Sequence, residues 1–495
     1  MLHSGRRLAF LLMGCMFFNS SLSINALADE VAPPNIVLIF MDDLGYADIG
    51  AFGATAYPTP NLDKLAKQGR RFTDFVTSSA VCSASRAALL TGCYHRRVGI
   101  SGALFPNSEK GLHPDETTLA EICKSKDYAT ACFGKWHLGH QQPFLPLQHG
   151  FDHYFGLPYS NDMWPHLPDY LPAAALENPK RKNFPPLPLF EGNEIIDDDV
   201  DGPDQAELTV RYTEKAVAFI ENNKDHPFFL YLPHTMVHVP LYVSDCFKGK
   251  SASGMFGDVM MEVDWSVGQI VDTVDRLGLG ENTLVIFTSD NGPWLAYGDH
   301  AGSALPLREG KQTMFEGGYR VPAIMRWTGK VDPDTVCDQL GSTIDILPTV
   351  ANLIGARLPE KTIDGVDLSP LILGDPNTTS PRQSFYCYYG NGQLHAVRDG
   401  RWKLHFPRNY SSSQAGIPGK GGVPGSRKKA KTTNELYDLK NDIGEQKNLL
   451  QQYPEIVQRL NQMADEARSD LGDTLTKVVG NGFREAGQIP KPVAP

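Results

Sequence analysis

Four short apolar runs stand out along the chain, at residues 36–41, 129–133, 227–232 and 284–288. They are rich in β-branched and aromatic residues and show no polar alternation, so they predict strands buried on both faces, as in a parallel sheet. Each is followed at once by a polar cluster. Asp42-Asp43-Leu44-Gly45 follows the first and Gly134-Lys135-Trp136-His137 the second. Pro233-His234, with His238 four residues on, follows the third, and Asp290-Asn291-Gly292 the fourth. Helical patterns lie between them: residues 61–68 with Asn61 as cap and Gly69 as stop, an amphipathic 209–222, and 256–277 with Val259, Val263, Val267, Ile270 and Val274 at three-and-four spacing.

Strands that alternate with helices predict an α/β fold, a doubly wound and mostly parallel sheet with helices on both faces. Ligands of such sheets sit at the carboxyl ends of the strands. One polar strand end is ordinary turn chemistry, because Asp, Asn and Gly close turns and cap helices. Four ends carrying carboxylates, a lysine and histidines are what a site there requires.

Elsewhere the pattern weakens. Residues 167–203 are Pro-rich and then acidic and read as a long surface excursion. From Pro376 onward short antiparallel strands are expected at 385–389, 394–398 and 402–406, with Asp399-Gly400 as a hairpin turn. The Gly/Ser/Lys-rich residues 411–431 read as a flexible loop, and a helix over 453–470 packs back. These features divide the chain into a catalytic domain, 31–375, and a smaller α+β subdomain, 376–495. Residues 1–28 read as a signal peptide: Arg6 and Arg7, an apolar stretch over 8–18, then Ala26-Leu27-Ala28 at the cleavage point. The mature chain is therefore expected to be exported, to a periplasm or outside the cell. A loose lipobox ending at Cys15 offers lipid anchoring as the alternative. No other segment approaches the run of about 20 apolar residues that stable membrane insertion needs.

Charge narrows the partners. The chain has 495 residues, with 46 Lys plus Arg against 57 Asp plus Glu, a net charge of −11. Such an acidic balance excludes the basic footprint of a nucleic-acid binder. Seven cysteines remain after the leader, Cys82, Cys93, Cys123, Cys132, Cys246, Cys337 and Cys387, with no C-x-x-C pair and no zinc-type spacing. An odd number leaves at least one thiol unpaired or chemically changed. Oligomeric state is not legible.

The segment Val81-Cys82-Ser83-Ala84-Ser85-Arg86, followed by Ala87-Ala88-Leu89-Leu90-Thr91-Gly92, carries the most chemistry. Good helix formers follow Cys82 and Gly92 stops them, so the thiol belongs at a helix N-terminus, where free N–H groups and the dipole favour negative charge. Arg86, one turn on, points back at the same spot. Cys-x-Ala-x-Arg with the following Thr-Gly resembles the signature of the sulfatase family, with Ala84 where Pro is commoner. The resemblance extends through Asp42 to Gly50, Gly134 to Gly139, Asp290 to Pro293, Gly310-Lys311 with Glu316-Gly317-Gly318, and Glu435 to Leu439. The stretches around Gly150-Phe151, Pro158-Tyr159-Ser160 and Asp264-Trp265-Ser266 resemble its arylsulfatase A and N-acetylgalactosamine-6-sulfatase branch.

That resemblance implies an alkaline-phosphatase-like fold, conversion of Cys82 to formylglycine by a maturation enzyme, and one Ca2+ held by Asp42, Asp43, Asp290, Asn291 and residue 82. On chemistry alone three carboxylates and an amide suit a hard cation, magnesium as well as calcium. A sulfate monoester is an anion, so the cation with Arg86, Lys135 and Lys311 would spread its charge. The resemblance further implies that Asp290 deprotonates the attacking hydroxyl of the hydrated aldehyde. His238 and Lys311 serve the leaving alcohol, His137 takes the proton of the second hydroxyl, and Ser160 donates to the sulfate. The expected substrate is a sulfated small molecule or glycan. Two alternatives are a phosphomonoesterase or phosphodiesterase of the same superfamily and a catalytically silent glycan-binding relative.

Overall fold

Val37, Ile39 and Met41 of the strand Asn35–Met41 face a core shared with the helices Pro60–Gln68, Gly202–Asn222 and Gly254–Arg276. Ile36, Leu38 and Phe40 face a second core shared with the helices Cys82–Thr91, Leu119–Lys124 and Ile346–Leu353. Successive side chains of a strand point to opposite faces, so a run that is apolar throughout has to be covered on both. The computed structural model describes residues 1–2, 33–166, 168, 170–171, 183–375 and 378–489. Apart from Met1 and Leu2, the expected signal peptide, with Cys15, lies outside them.

Among the described residues the sheet has eleven strands, in the order Thr335–Cys337, Arg70–Val76, Arg320–Arg326, Thr283–Ser289, Asn35–Met41, Phe228–Pro233, Ala129–Phe133, His153–Gly156, Leu189–Glu191 and Glu194–Asp197, with Gly341–Ser342 also paired to Arg70–Val76. From Thr283–Ser289 to His153–Gly156 the pairing is parallel, and antiparallel pairs flank it on both sides. This is the expected mostly parallel doubly wound sheet. The four strands legible in the sequence are four adjacent central members of it. Adjacent parallel strands set their carboxyl ends side by side, so their polar clusters meet.

A four-stranded antiparallel sheet, Phe385–Tyr389, Gln393–Arg398, Trp402–His405 and Glu435–Asp438, follows near the C-terminus, packed against the helix Pro454–Leu471. Asp399 shapes the expected turn, its Oδ1 accepting from the backbone N of Arg401 at 2.7 Å and of Trp402 at 2.6 Å. This third core also takes in Val76, Ala88, Met314 and Tyr319, and the chain from Pro33 onward packs as one compact unit. Among the described residues no helix is long and apolar enough to cross a membrane. Cys82, Cys93, Cys123, Cys132, Cys246, Cys337 and Cys387 are all free thiols.

Three local expectations change. Thr59 and Pro60, not Asn61, begin the first helix, and the Asn61 amide instead donates to Asp264 at 2.9 Å. The acidic end of the supposed surface excursion is structured. Leu189–Glu191 and Glu194–Asp197 form a hairpin on the sheet edge, and Asp201 with Asp204 makes a capping box that starts the next helix at Gly202, ahead of residue 209. Finally, residues 411–431 are no loose loop: Arg408–Ile417 and Ser426–Thr432 pair as a two-stranded hairpin. Its supports lie a hundred residues away. Gly419 N and Gly425 N donate to Ala296 O at 3.0 and 2.7 Å, and Ser413 N donates to Glu309 at 3.0 Å.

Candidate active site

Strand ends deliver most of the site. Asp42 and Asp43 follow Met41, Asp290 and Asn291 follow Ser289, Lys135 and His137 follow Phe133 across Gly134, and His238 lies five residues past Pro233. Asp43 and His137 have φ of 61° and 62°, the left-handed region, which costs a residue with a Cβ about 1–3 kcal/mol. Such strain persists where the surroundings enforce it, and here it turns two chemical side chains inward. Gly134, at φ 135°, makes the turn ahead of Lys135 possible, since a Cβ there would lie 1.9 Å from the Pro233 carbonyl oxygen. The helix Cys82–Thr91 starts at the thiol and stops at Gly92, φ 67°, as the sequence predicts.

The side chains converge closely. Arg86 Nη2 lies 2.9 Å from Asp290 Oδ2 and 3.6 Å from Asp42 Oδ2. Lys135 Nζ donates to Asp42 Oδ2 at 2.5 Å and to Ser160 Oγ at 3.0 Å. Lys311 Nζ donates to Asp43 Oδ1 at 2.6 Å, and Asn291 Nδ2 to the same oxygen at 2.7 Å. His238 Nε2 stands 3.6 Å from Asp43 Oδ2. Single ligand atoms of Asp42, Cys82 and Asp290 lie within 4.8 Å of one another, as do those of Asp42, Asp43 and His238. Every residue singled out in the sequence is therefore brought to one buried place, Cys82 at 3 % exposure and Arg86 and Lys135 at 0 %. His234 is the exception: it faces Ser266 Oγ at 3.3 Å, as a structural histidine would.

Electrostatics separate the three carboxyls. Burial pushes Asp42 up, yet Lys135, His238 and Arg86 outweigh it and hold Asp42 far below the usual carboxylate range. Burial and the neighbouring Asp42 push Asp290 up against the pull of Arg86. Burial raises the Cys82 thiol in spite of Lys135 and Lys311, so it is no ready thiolate at neutral pH. Burial, then Lys135 and Arg86, drive His137 well below the ordinary histidine value and keep it neutral. Its Nε2 faces the Leu104 carbonyl at 3.0 Å. A carbonyl only accepts, so the proton sits on Nε2 and Nδ1 is left as the base.

Three buried oxygens of these site carboxylates and amide have no hydrogen-bond partner: Asp42 Oδ1, Asp43 Oδ2 and Asn291 Oδ1. Unpaired buried acceptors are costly, and three on residues of one site fit a hard cation that takes oxygen ligands.

Sequence reasoning missed the wall of the site. Trp294 lies under Lys311 at 4.7 Å from Nζ to ring centroid, with its centroid 5.6 Å from that of His238. Tyr389, from the C-terminal sheet, packs against Val81, Cys82 and Ala84. Trp294 directly follows the Asp290–Pro293 motif, so its place was available to a reader of motifs. Tyr389 carried no such signal, because it looks like any other residue of an aromatic strand.

A family model described as Sulfatase matches residues 34–356, and one for the C-terminal region of aryl-sulfatase matches 380–486. Human arylsulfatase A is 41 % identical over 446 residues, 87 % of this chain and 87 % of the relative. The N-acetylgalactosamine-6-sulfatase of Canis lupus familiaris is 36 % identical over 469 residues, 89 % of this chain and 86 % of its own. Among solved structures, the PsFucS1 sulfatase from Pseudoalteromonas sp. superposes with a TM-score of 0.79 at 27 % identity, covering 92 % of each chain. Ps i-CgsB in complex with k-i-k-neocarrahexaose superposes at 0.71 and 27 %, covering 88 % of this chain and 92 % of the other. Four converging strand ends, a helix that opens on Cys82 and matches over most of its length agree: this chain belongs to the sulfatase family and is a sulfuric ester hydrolase.

Proposed function

We propose that the protein hydrolyses sulfate monoesters of carbohydrates, and of aryl alcohols, through a formylglycine made from Cys82 and with one calcium ion per site. One observation carries the reading: a buried Cys82 at a helix N-terminus, facing two carboxylates, two lysines and an arginine, where no thiolate is favoured. An unactivated thiol is a poor nucleophile, so the chemistry calls for a changed side chain. Hydrated, formylglycine supplies two hydroxyls, one to attack sulfur and one to expel the sulfate again.

Asp42, Asp43, Asp290, Asn291 and residue 82 would hold the calcium, which supplies positive charge against the anionic ester. The three unpartnered oxygens support that assignment. The remaining roles belong to the chain's own groups. Lys135 with Ser160, and Lys311 with His238, bind the sulfate oxygens and the leaving oxygen. Arg86 fixes Asp42 and Asp290 in place. Asp290 accepts the proton of the attacking hydroxyl, and His137 accepts that of the second at Nδ1. A sulfated sugar is the favoured substrate, since the relatives include N-acetylgalactosamine-6-sulfatases and one structural neighbour carries a neocarrahexaose.

The reading requires a formylglycine-generating enzyme that accepts Cys-x-Ala-x-Arg, and it places the chain after export. N-terminal sequencing that begins at Asp29 would support cleavage after Ala28. The decisive test is the mass of the tryptic peptide 72–86 from protein made in its native host. An aldehyde at position 82, with hydrolysis of 4-nitrophenyl sulfate, is the expected result. A plain thiol there, with no turnover, overturns the catalytic reading and leaves a silent binding protein.

A further inference from the structure

The hairpin Arg408–Thr432 is unlike the rest of the chain. It holds Arg408, Lys420, Arg427, Lys428, Lys429 and Lys431 and no acidic residue, in a protein whose net charge is −11. It is also seated on the segment that forms one wall of the active site. Besides the bonds to Ala296 and Glu309, Gly421 N donates to Asp299 Oδ1 at 2.7 Å. Gly298, at φ 58°, lets the two segments touch, because a Cβ there would lie 1.9 Å from the Gly419 carbonyl oxygen.

Arg427 is the residue that this arrangement aims inward. Its Nη1 donates to Gln312 Oε1, and its guanidinium carbon lies 6.0 Å from the Trp294 centroid. Gln312 follows Lys311, has φ of 72°, and donates its backbone N to the Ala80 carbonyl at 2.9 Å, two residues before Cys82. Trp294 is the ring that also borders Lys311 and His238, and its buried Nε1 has no partner. Arg427 thus stands one residue out from the sulfate cradle, beside the same indole. Its cation is short of compensation. Burial lowers its pKa, with Tyr389, Tyr297 and Glu309 the groups that counter this. Of these only Glu309 is a carboxylate, and it is engaged by Ser412, Ser413 and Gln414.

Resting on the sulfatase reading, we propose that Arg427, with Gln312 and Trp294, forms the subsite for the alcohol portion of the substrate and selects one that carries a second oxyanion, a carboxylate or another sulfate. Arginine presents a planar fork that matches both groups, and an indole with a free N–H suits the face and hydroxyls of a sugar. The exposed Lys428, Lys429 and Lys431, on the same strand as Arg427, add positive charge that favours the approach of such a polyanion.

The test compares kcat/KM on three probes: N-acetylgalactosamine 6-sulfate, N-acetylgalactosamine 4,6-disulfate, and the 6-sulfated disaccharide that carries a uronate. The wild type is expected to prefer one or both of the doubly anionic probes, and which of them it prefers identifies the second group as sulfate or carboxylate. Arg427→Gln should cut that preference about ten- to a hundredfold, the range of a charge-assisted pair, and Arg427→Lys should restore part of it. An unchanged preference in Arg427→Gln, or none in the wild type, overturns the proposal. The Cys82→Ala protein, titrated with the same probes by calorimetry, keeps the two readings apart. If nothing is turned over but Arg427→Gln still weakens binding of the doubly anionic probes, the reaction has failed and the subsite stands. Equal binding of all three probes overturns the subsite alone.

Discussion

Two buried clusters in this molecule carry the same charges. At the strand ends Asp42, Asp43 and Asp290 face Arg86, Lys135 and Lys311. Beneath the C-terminal sheet Asp74, Glu316 and Glu445 face Arg320, Arg398 and Lys403. What differs is completeness. In the second cluster each carboxylate oxygen and each cation is engaged. Arg398 bridges Asp74 at 2.7 Å and Glu316 at 3.1 Å, Lys403 bridges Glu316 at 2.9 Å and Glu445 at 3.0 Å, and Glu445 also accepts from Glu316 N at 2.7 Å. In the first, Asp42 Oδ1, Asp43 Oδ2, Asn291 Oδ1 and His137 Nδ1 remain without partners. Buried charge alone therefore does not mark a site. Several lone pairs left over within one charged cluster do, because each is costly to bury unpaired and together they suit a ligand that takes oxygen and nitrogen donors. The closed cluster ties Asp74, Glu316 and Arg320 to three residues from beyond position 390, which is the work of a clamp.

The largest expected effect breaks the open cluster at its proposed nucleophile. Cys82→Ala should lower kcat by more than about a thousandfold while the thermal midpoint moves by no more than about 2 °C, since one small buried side chain is lost. Appreciable activity in that variant would sink the mechanism. The next strikes the closed cluster. Arg398→Ala takes from Asp74 its nearest cation, leaving only Arg320 at 3.6 Å, and removes one of the three cations around Glu316; breaking a buried pair from one side costs about 3–5 kcal/mol. Urea denaturation should report that loss, with kcat of the folded fraction nearly unchanged. A loss below about 1 kcal/mol would mean that the cluster is no clamp.

A smaller effect separates the clusters directly. A ligand that binds only the folded state stabilises it by about 2.7 kcal/mol at a hundred times its Kd. Calcium added to chelated protein should raise the thermal midpoint by several degrees. Asp43→Asn should abolish that rise. Glu316→Gln should lower the midpoint and leave the calcium-dependent rise intact. Identical responses in the two variants would mean that the two clusters do not differ in this way.

The open cluster was legible in the sequence for a plain reason. Each of its central strands is apolar on both faces, so the abrupt polar residues after Met41, Phe133, Pro233 and Ser289 have no local explanation. The parallel sheet then puts those ends together without help from the loops. The closed cluster was not legible. Glu316 appeared as part of a motif without a role, and Lys403 sits in a strand where period-two alternation marks it as a solvent-facing residue, yet it is 0 % exposed. The hairpin Arg408–Thr432 escaped for a related reason. Both its faces are polar, so it has no alternation to read, and the carbonyl of Ala296 and the carboxylate of Glu309 that hold it are remote in sequence. Local pattern reports burial against apolar surface; it is blind to burial that is balanced by charge.

Glu262 gives the finest version of the comparison, a buried carboxyl with no cation at all. It is 0 % exposed on the helix Gly254–Arg276, its Oε1 accepts from Ser244 N at 3.2 Å, and its Oε2 has no partner. Burial pushes it up to about 7, against hydrogen bonds from Ser244. A raised folded-state pKa means that the folded protein holds this proton more tightly than the unfolded chain. The stability it confers is complete below the unfolded value of 4.5, drains away as pH rises to about 7, and is gone above that. Glu262→Gln keeps the acceptor and removes the ionisation. The variant should match the wild type near pH 4.5 and gain on it steadily, by on the order of 1–3 kcal/mol at pH 8. Denaturation midpoints measured across that window decide the matter. Parallel curves would mean that Glu262 ionises freely, and that a carboxyl buried without a cation can be satisfied here by something other than the proton it holds.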